Sequence, residues 1–291
     1  MSTMQTTQSG FVPGRIFIPD SEPLPGALQR VTHLGIGAHH DDLEFMAFHG
    51  IVECFQKSNE WFAGVTCTDG RGSVRQKDAA PSPGLPDLEV LREAEQNRAA
   101  AIGGYAAMVQ LAYPSAHVKP PDDRSLCSDL AVILDATRPE IVYAHSPTDK
   151  HATHLGVFSA TLRAIRSLPF NARPKQLIGC EVWRGLDWLC DREKIRMDVT
   201  GYDTLANELN AVFTSQIEGG KRYDLAVIGR RAANATFFEP REQDHANQVL
   251  IGVDLTPLIQ NDALSVREFT KNLIRRFEEE VDTALARFFP I

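Results

Sequence analysis

The chain lacks any uninterrupted run of about 18 apolar residues, so no segment reads as a membrane-spanning helix. Its first 30 residues are polar and Pro-containing, without the apolar core of a secretory signal. Basic charge is in deficit: 30 Lys and Arg against 38 Asp and Glu leave a net charge of −8. That argues against nucleic-acid partners, which require a basic face. The five cysteines (54, 67, 127, 180 and 190) are odd in number and form no C-x-x-C pair. Reduced packing thiols in a cytoplasmic protein are the expectation. A third glycine is missing after "GIGAHH", and charged residues fill the turn where a phosphate would sit, so the dinucleotide fingerprint is absent. There is no internal repeat and no low-complexity tract.

What is present is a 291-residue chain, 43% hydrophobic, long enough for one large α/β unit with an appended piece. Short apolar runs alternate with helical periodicity. Strands are expected at 32–38, 61–68, 107–113, 140–145 and 176–183, and helices at 43–57, 87–102, 125–137, 154–167 and 201–216. Such alternation implies right-handed βαβ units. The fold class expected is α/β: a Rossmann-like, open, mostly parallel sheet with helices on both faces. Residues 1–30 read as an N-terminal arm, 31–216 as the core, and 217–291 as a C-terminal extension. In that extension Phe269, Leu273, Phe277, Val281, Leu285 and Phe288 form an apolar helical stripe. The stripe is expected to dock on the core, with a homo-oligomer interface as the other reading.

The chemistry concentrates at two strand ends. "AHHDDLE" (38–44) follows the first strand, and "AHSPTDKHATH" (144–154) runs from the end of the fourth. Ligands of open parallel sheets bind beyond the carboxyl ends of strands, so these clusters should face one another. One divalent metal accounts for both. Catalytic zinc takes three ligands from His, Asp, Glu or Cys and keeps one position open. His39 and Asp42 with one histidine of the second cluster make such a set, and a spare carboxylate can serve as general base toward water of pKa about 7.

The paired motifs resemble those of the LmbE-like, or PIG-L, metal-dependent de-N-acetylases, roughly A-H-P-D-D-x-E and P-x-D-x-H-P-D-H. Similarity extends to "TDGRG" (68–72), "LREAEQNRAAAIG" (91–103) and "FTSQ" (213–216). The resemblance implies a Rossmann-like fold and one Zn2+ (or another divalent ion) on His39, Asp42 and His154. It implies Asp41 as the base, His151 as oxyanion stabiliser or proton donor, and Asp149 as the group orienting a neighbouring histidine. The implied substrate is a small N-acetylated sugar or glycoconjugate of the N-acetylglucosamine type.

There are departures from the family pattern. His40 stands where proline is usual and reads as a bystander, with a ligand or base role as the alternative. Thr153 replaces the aspartate that would partner His151, so His145 is a second proton-donor candidate. "FMAFHG" (45–50) replaces a glycine-rich stretch. His49 reads as a solvated or capping residue, and Glu44 either as support for the histidines or as an ordinary first-turn carboxylate. Arg71 and Arg75, with Lys77, lie on a long loop expected to cover the crevice and grip substrate. Trp183, Trp188 and Tyr202 read as sugar-stacking faces or as core. The competing functions are an amidase for a larger acyl group and a two-metal phosphoesterase using Asp69, Asp149 and His40.

Overall fold

The computed structural model describes residues 14–72, 87–218 and 220–290, and the backbone of 5–7 and 10–12. The strands are β1 (Gln5–Thr7), β2 (Gly10–Val12), β3 (Arg15–Phe17), β4 (His33–Gly37), β5 (Phe62–Thr68), β6 (Ala107–Tyr113), β7 (Ile141–His145), β8 (Gln176–Cys180), β9 (Lys194–Asp198) and β10 (Val249–Asp254). The helices begin with α1 (Gly26–Gln29), α2 (Asp42–Met46), α3 (Phe48–Cys54), α4 (Leu88–Ile102), α5 (Ser125–Thr137) and α6 (Ala152–Ser167). They continue with α7 (Asp203–Ala211), α8 (Thr214–Ile217), α9 (Tyr223–Thr236), α10 (Thr256–Gln260) and α11 (Val266–Phe288).

Eight strands form one sheet in the order β3-β6-β5-β4-β7-β8-β10-β9. The five central strands run parallel, and β3, β10 and β9 pair antiparallel at the flanks. Alternation along the strands splits the core in two. Val142 and Leu177 join Leu130, Ile133, Phe158 and Ile165 on the α5/α6 face. Their neighbours Tyr143 and Ile178 join Phe48, Ile51, Leu205 and Leu209 on the α3/α7 face. This is the period-2 consequence of the pleat, and it explains why these strands read as continuous apolar runs.

The expected α/β architecture is what is observed, with three differences. The 217–291 extension supplies β10, which sits inside the main sheet between β8 and β9. The arm contributes β3, paired with β6 through Ile16–Val109. The helix expected over 43–57 is broken at Ala47 (φ −104°, ψ 15°). There the guanidinium of Arg231 takes the carbonyls of Glu44 (2.7 Å) and Phe45 (3.3 Å), satisfying groups that a helix end leaves open.

Helix α11 docks by its first half: Leu273 is buried, Val266 and Phe269 pack against the core, Arg276 pairs with Glu193 and Phe277 meets Trp188 edge-on. From Phe277 to the end of the helix every residue is exposed. The docking expectation therefore holds for the start of the stripe and not for the rest.

Gly156 on α6 lets the chain at Val118 pass close, since a Cβ there would stand 2.1 Å from the Val118 carbonyl oxygen. Backbone cannot yield as a flexible side chain can. Gly156→Ala is expected to lower stability by about 1–3 kcal/mol, read from the urea midpoint; an unchanged midpoint would show that the 118–119 segment is free to shift.

Candidate metal centre and active-site cavity

The sheet order reverses direction at β4, which pairs with β5 on one side and β7 on the other. Such a switch point leaves a crevice beyond the strand ends. The two polar clusters enter it from the ends of β4 and β7.

Asp42 is the meeting point. Its Oδ2 accepts the backbone N–H of Ala38 (3.0 Å) and His39 (2.7 Å), folding the turn back on itself. Gly37 permits this, since a Cβ there would sit 3.0 Å from the Asp42 Cβ. The same Oδ2 lies 3.4 Å from His39 Nδ1, 3.5 Å from His154 Nε2 and 3.4 Å from His145 Nε2. His39 Nδ1 and His154 Nε2 are 3.1 Å apart. Burial alone would raise the Asp42 carboxyl, but the adjacent His154 and His145 rings hold it well below the usual carboxylate range.

His39, Asp42 and His154 thus present one atom each with mutual spacings of 3.1–3.5 Å. Ligands about 2.0–2.1 Å from one tetrahedral ion stand about 3.3 Å apart, so this donor set fits a divalent cation. His154 Nδ1 contacts Asp149 Oδ2 at 3.1 Å, which fixes the orientation of the imidazole. His39 and His154 also group with His151, and Asp42 and His154 with His145. His145, however, is fully buried, and its Nε2 accepts the Ala38 N–H at 2.9 Å. It supports the turn from beneath and does not line the cavity.

Asp41 stands beside the cluster in the left-handed region (φ 89°), an uncommon conformation for a residue with a Cβ. Its N–H points to Gln96 Oε1 at 3.3 Å, and its side chain lines the cavity. Burial first, then the charges of Asp42 and Glu44, push its carboxyl well above the ordinary value, with Arg92 opposing. His151 lines the cavity too. Its backbone N–H donates to Asp149 Oδ1 (2.8 Å), while the ring Nδ1 is buried without a partner, and Thr153 supplies it no carboxylate. Burial, followed by His154 and His39, pushes its pKa down to about 4.

The remaining candidates separate clearly. His40 points away, its Nε2 3.0 Å from Gln110 Oε1, in a second small recess with Asp69. Neither adds a ligand to the cluster, so the extra ligands of a two-metal reading are not supplied there. Glu44 accepts Gln96 Nε2 and Tyr105 Oη, both at 2.8 Å, and contacts none of the histidines. His49 pairs with the Tyr143 hydroxyl at 3.0 Å. Arg71 is bound to Glu89 and Asp87 and does not line the cavity. Arg75 and Lys77 lie outside the described residues. Trp183 lines the cavity, stacked on His151 at 5.9 Å, whereas Trp188 meets Phe277 and Tyr202 packs in the core.

The cavity measures about 620 Å³. Sequence reading missed several of its walls: Arg92, Gln216, Lys221, Tyr223, Arg230 and Arg231. Two of the short motifs do meet there. Glu95 accepts Ser215 N–H (2.8 Å) and Oγ–H (2.6 Å), and Gln216 donates to the His40 carbonyl. The motifs at 91–103 and 213–216 were usable signals for Arg92 and Gln216, but nothing local marked Lys221 or the residues from α9.

His40 supplies a pH test. Burial, then the Arg92 charge, lowers its pKa from 6.5 to about 3, so the fold holds the ring neutral. The unfolded chain takes up the proton first, so the stability linked to neutral His40 is full above pH 6.5 and is lost as pH falls. The stability advantage of wild type over His40→Gln, measured by urea unfolding with chelator present, should shrink by about 1.4 kcal/mol per pH unit below about 6. A difference independent of pH would refute the buried neutral ring.

Residues 34–165 match the family model described as PIG-L, GlcNAc-PI de-N-acetylase. No curated protein matches the chain in sequence. Among solved structures, the N,N'-diacetylchitobiose deacetylase of Pyrococcus horikoshii is similar at 15% identity and a TM-score of 0.57, covering 84% of this chain and 90% of that one. A zinc-inhibited form of the teicoplanin deacetylase Orf2 is similar at 15% identity and TM-score 0.56, covering 77% and 97%. The 4-carboxy-2-hydroxymuconate hydratase GalB of Pseudomonas putida KT2440 shares the fold at 16% identity and TM-score 0.58, covering 77% and 95%. At these identities the structures establish the fold, while the family rests on the match that spans both polar clusters. Residues 34–165, which carry both polar clusters, are thus similar to the PIG-L, or LmbE-like, family of de-N-acetylase hydrolases.

Proposed function

We propose that the protein is a metal-dependent de-N-acetylase acting on an N-acetylglucosamine-type sugar or glycoconjugate. The observation that carries this is the close approach of His39, Asp42 and His154, within 3.5 Å of one another, on the cavity that Asp41 and His151 also line. Zn2+ is the cation these donors suit best, and when bound it supplies Lewis acidity toward the amide carbonyl and toward water.

This chain's own residues do the rest. In its ionised form Asp41 accepts the proton of the attacking water as its oxygen bonds to the carbonyl carbon, and the upward push on its carboxyl makes that form the stronger base. His151, neutral near pH 7 with its pKa at about 4, donates a hydrogen bond to the developing oxyanion. The carbon–nitrogen bond then breaks, and Asp41, its carboxyl biased toward the protonated form, returns the proton to the departing amine. Acetate and a free amine leave. A 620 Å³ cavity exceeds what an acetyl group needs, which supports a sugar or larger conjugate and leaves room for a longer acyl chain.

Amine release from N-acetylated sugars, measured together with metal content, tests this. Asp41→Asn should keep one metal per chain and lose about 10²–10⁴-fold in turnover; an active Asp41→Asn would sink the mechanism. His154→Ala should lose the metal. Two ions per chain together with phosphate release would instead favour the phosphoesterase.

A further inference from the structure

We propose that His33, Cys54 and Glu60 hold a second divalent cation, of the zinc class, at the opposite end of the sheet from the cavity. His33 opens β4, Cys54 closes α3, and Glu60 sits in the turn that leads into β5. Pairing of the two parallel strands sets His33 opposite Phe62, so the turn before β5 comes back to the start of β4. It is pinned there by the Trp61 carbonyl, which accepts the N–H groups of Thr32 (2.9 Å) and His33 (3.1 Å). Each of the three side chains offers one donor atom, and these atoms lie within 4.8 Å of one another. None of the three residues lines the cavity. Strand β4, roughly 13 Å long at about 3.3 Å per residue, separates this cluster from the Asp42 turn. The second ion of a two-metal centre would instead stand about 3.5–4 Å from the first.

The chemistry of the donors selects the cation. His33 and Cys54 are buried, and Glu60 is half-buried. Glu60 Oε2 lies 3.4 Å from His33 Nδ1, close to the spacing of about 3.3 Å between nitrogen and oxygen ligands of one tetrahedral ion. Burial outweighs the nearby acids and lowers the His33 pKa from its ordinary 6.5, so the ring is neutral at pH 7 and does not balance the carboxylate. Two other acids near His33 have cations of their own: Glu53 takes Lys57 at 3.1 Å and Glu140 takes Lys175 at 2.9 Å. Among the described residues no Lys or Arg is within ion-pair distance of Glu60. As packing residues, His33 and Cys54 would need no carboxylate beside them. A thiol, a neutral imidazole and a carboxylate together are a zinc set, since sulfur and nitrogen donors disfavour magnesium and calcium. Thr32 Oγ1, 2.9 Å from His33 Nδ1 and 4.0 Å from Cys54 Sγ, offers a fourth oxygen.

Filling the site has two costs. A zinc–sulfur bond of about 2.3 Å requires the sulfur to close on the other donors by about 1 Å. Burial pushes the Cys54 thiol up to about 12, and its proton leaves to solvent as the metal bonds. The His39, Asp42 and His154 donors already stand 3.1–3.5 Å apart and fill first. The second site fills when zinc is supplied beyond one equivalent, and it then ties the end of α3 to β4 and to the turn before β5.

Cobalt(II) in place of zinc tests this on the full chain. Sulfur ligation gives a charge-transfer band in the near ultraviolet, which the thiol-free His39, Asp42 and His154 cluster cannot give. Titrated past about two equivalents, wild type should develop the band, and excess zinc should bleach it. Cys54→Ser should show no band while still taking cobalt at the other cluster. Glu60→Gln, at a half-buried position, should need about tenfold or more cobalt for half-saturation of the band. The urea midpoint of wild type should rise on going from one to several equivalents of zinc, and that of Cys54→Ser should not. A wild type without the band, a band retained in Cys54→Ser, or a half-saturation unchanged in Glu60→Gln overturns the site, as does an equal midpoint rise in both proteins.

Discussion

Asp42 carries a negative charge inside the protein, and the turn between β4 and α2 is built around neutralising it. Two backbone N–H groups and the His39 and His154 rings converge on a single oxygen, while His145 at the end of β7 lies beside it and accepts the Ala38 N–H. Removing any one partner leaves a buried charge short of compensation, which is costly. The glycine at 37 and the left-handed backbone at Asp41 follow from the same demand, because the turn must fold back far enough for Oδ2 to meet its own preceding amides. The strain at Asp41 is held by this over-determined contact and has the side effect of turning the Asp41 carboxyl toward the cavity.

Three carboxyl groups within four residues are thereby sorted into different states by their surroundings. Asp42 is held ionised by imidazoles, Asp41 is pushed toward its protonated form by burial and by Asp42, and Glu44, sealed under Tyr105 and Gln96, rises to about 7. Environments that drive neighbouring acids apart leave one carboxylate ionised, as the proposed ligand, and make the other more basic, as the proposed base. His40 fits the same logic from the other side of the loop. A ring kept neutral on Gln110 adds no positive charge to compete with the cluster, so a histidine is tolerated where relatives carry a rigid proline.

Much of this was legible because it is local or periodic. Apolar runs buried on both faces identify the parallel strands, and polar residues directly after two of them mark the crevice. Features that depend on contacts between distant segments were not legible. β9 is a half-exposed edge strand with a weak periodic signal, whereas β10 is buried from Val249 to Val253 but finds its place only through antiparallel pairing with β8 and β9, far away in sequence. The break at Ala47 depends on Arg231, 187 residues from Glu44 in sequence. Arg71 reads as a substrate grip from its loop, yet Glu89 and Asp87, ordinary helix-start acids in sequence, engage it first. Arg231 shows the converse: a cation inside a helix of unremarkable pattern is a cavity wall, because α9 runs over the open end of the crevice.

This division has a consequence for how the molecule is organised. The proposed chemistry lies within 34–165, the span that matches the family, on strands whose register leaves its residues little freedom. The opposite wall, from Glu181 to Arg231, lies outside that span and hangs on β8, α9 and the flanking strands. Yet the two are not independent, since Arg231 both closes α2 and lines the cavity. A change in α9 that alters what the cavity recognises must also satisfy the carbonyls of Glu44 and Phe45, two residues beyond the Asp42 turn. The cavity wall is therefore coupled through one guanidinium to the geometry of the turn that holds the proposed ligands.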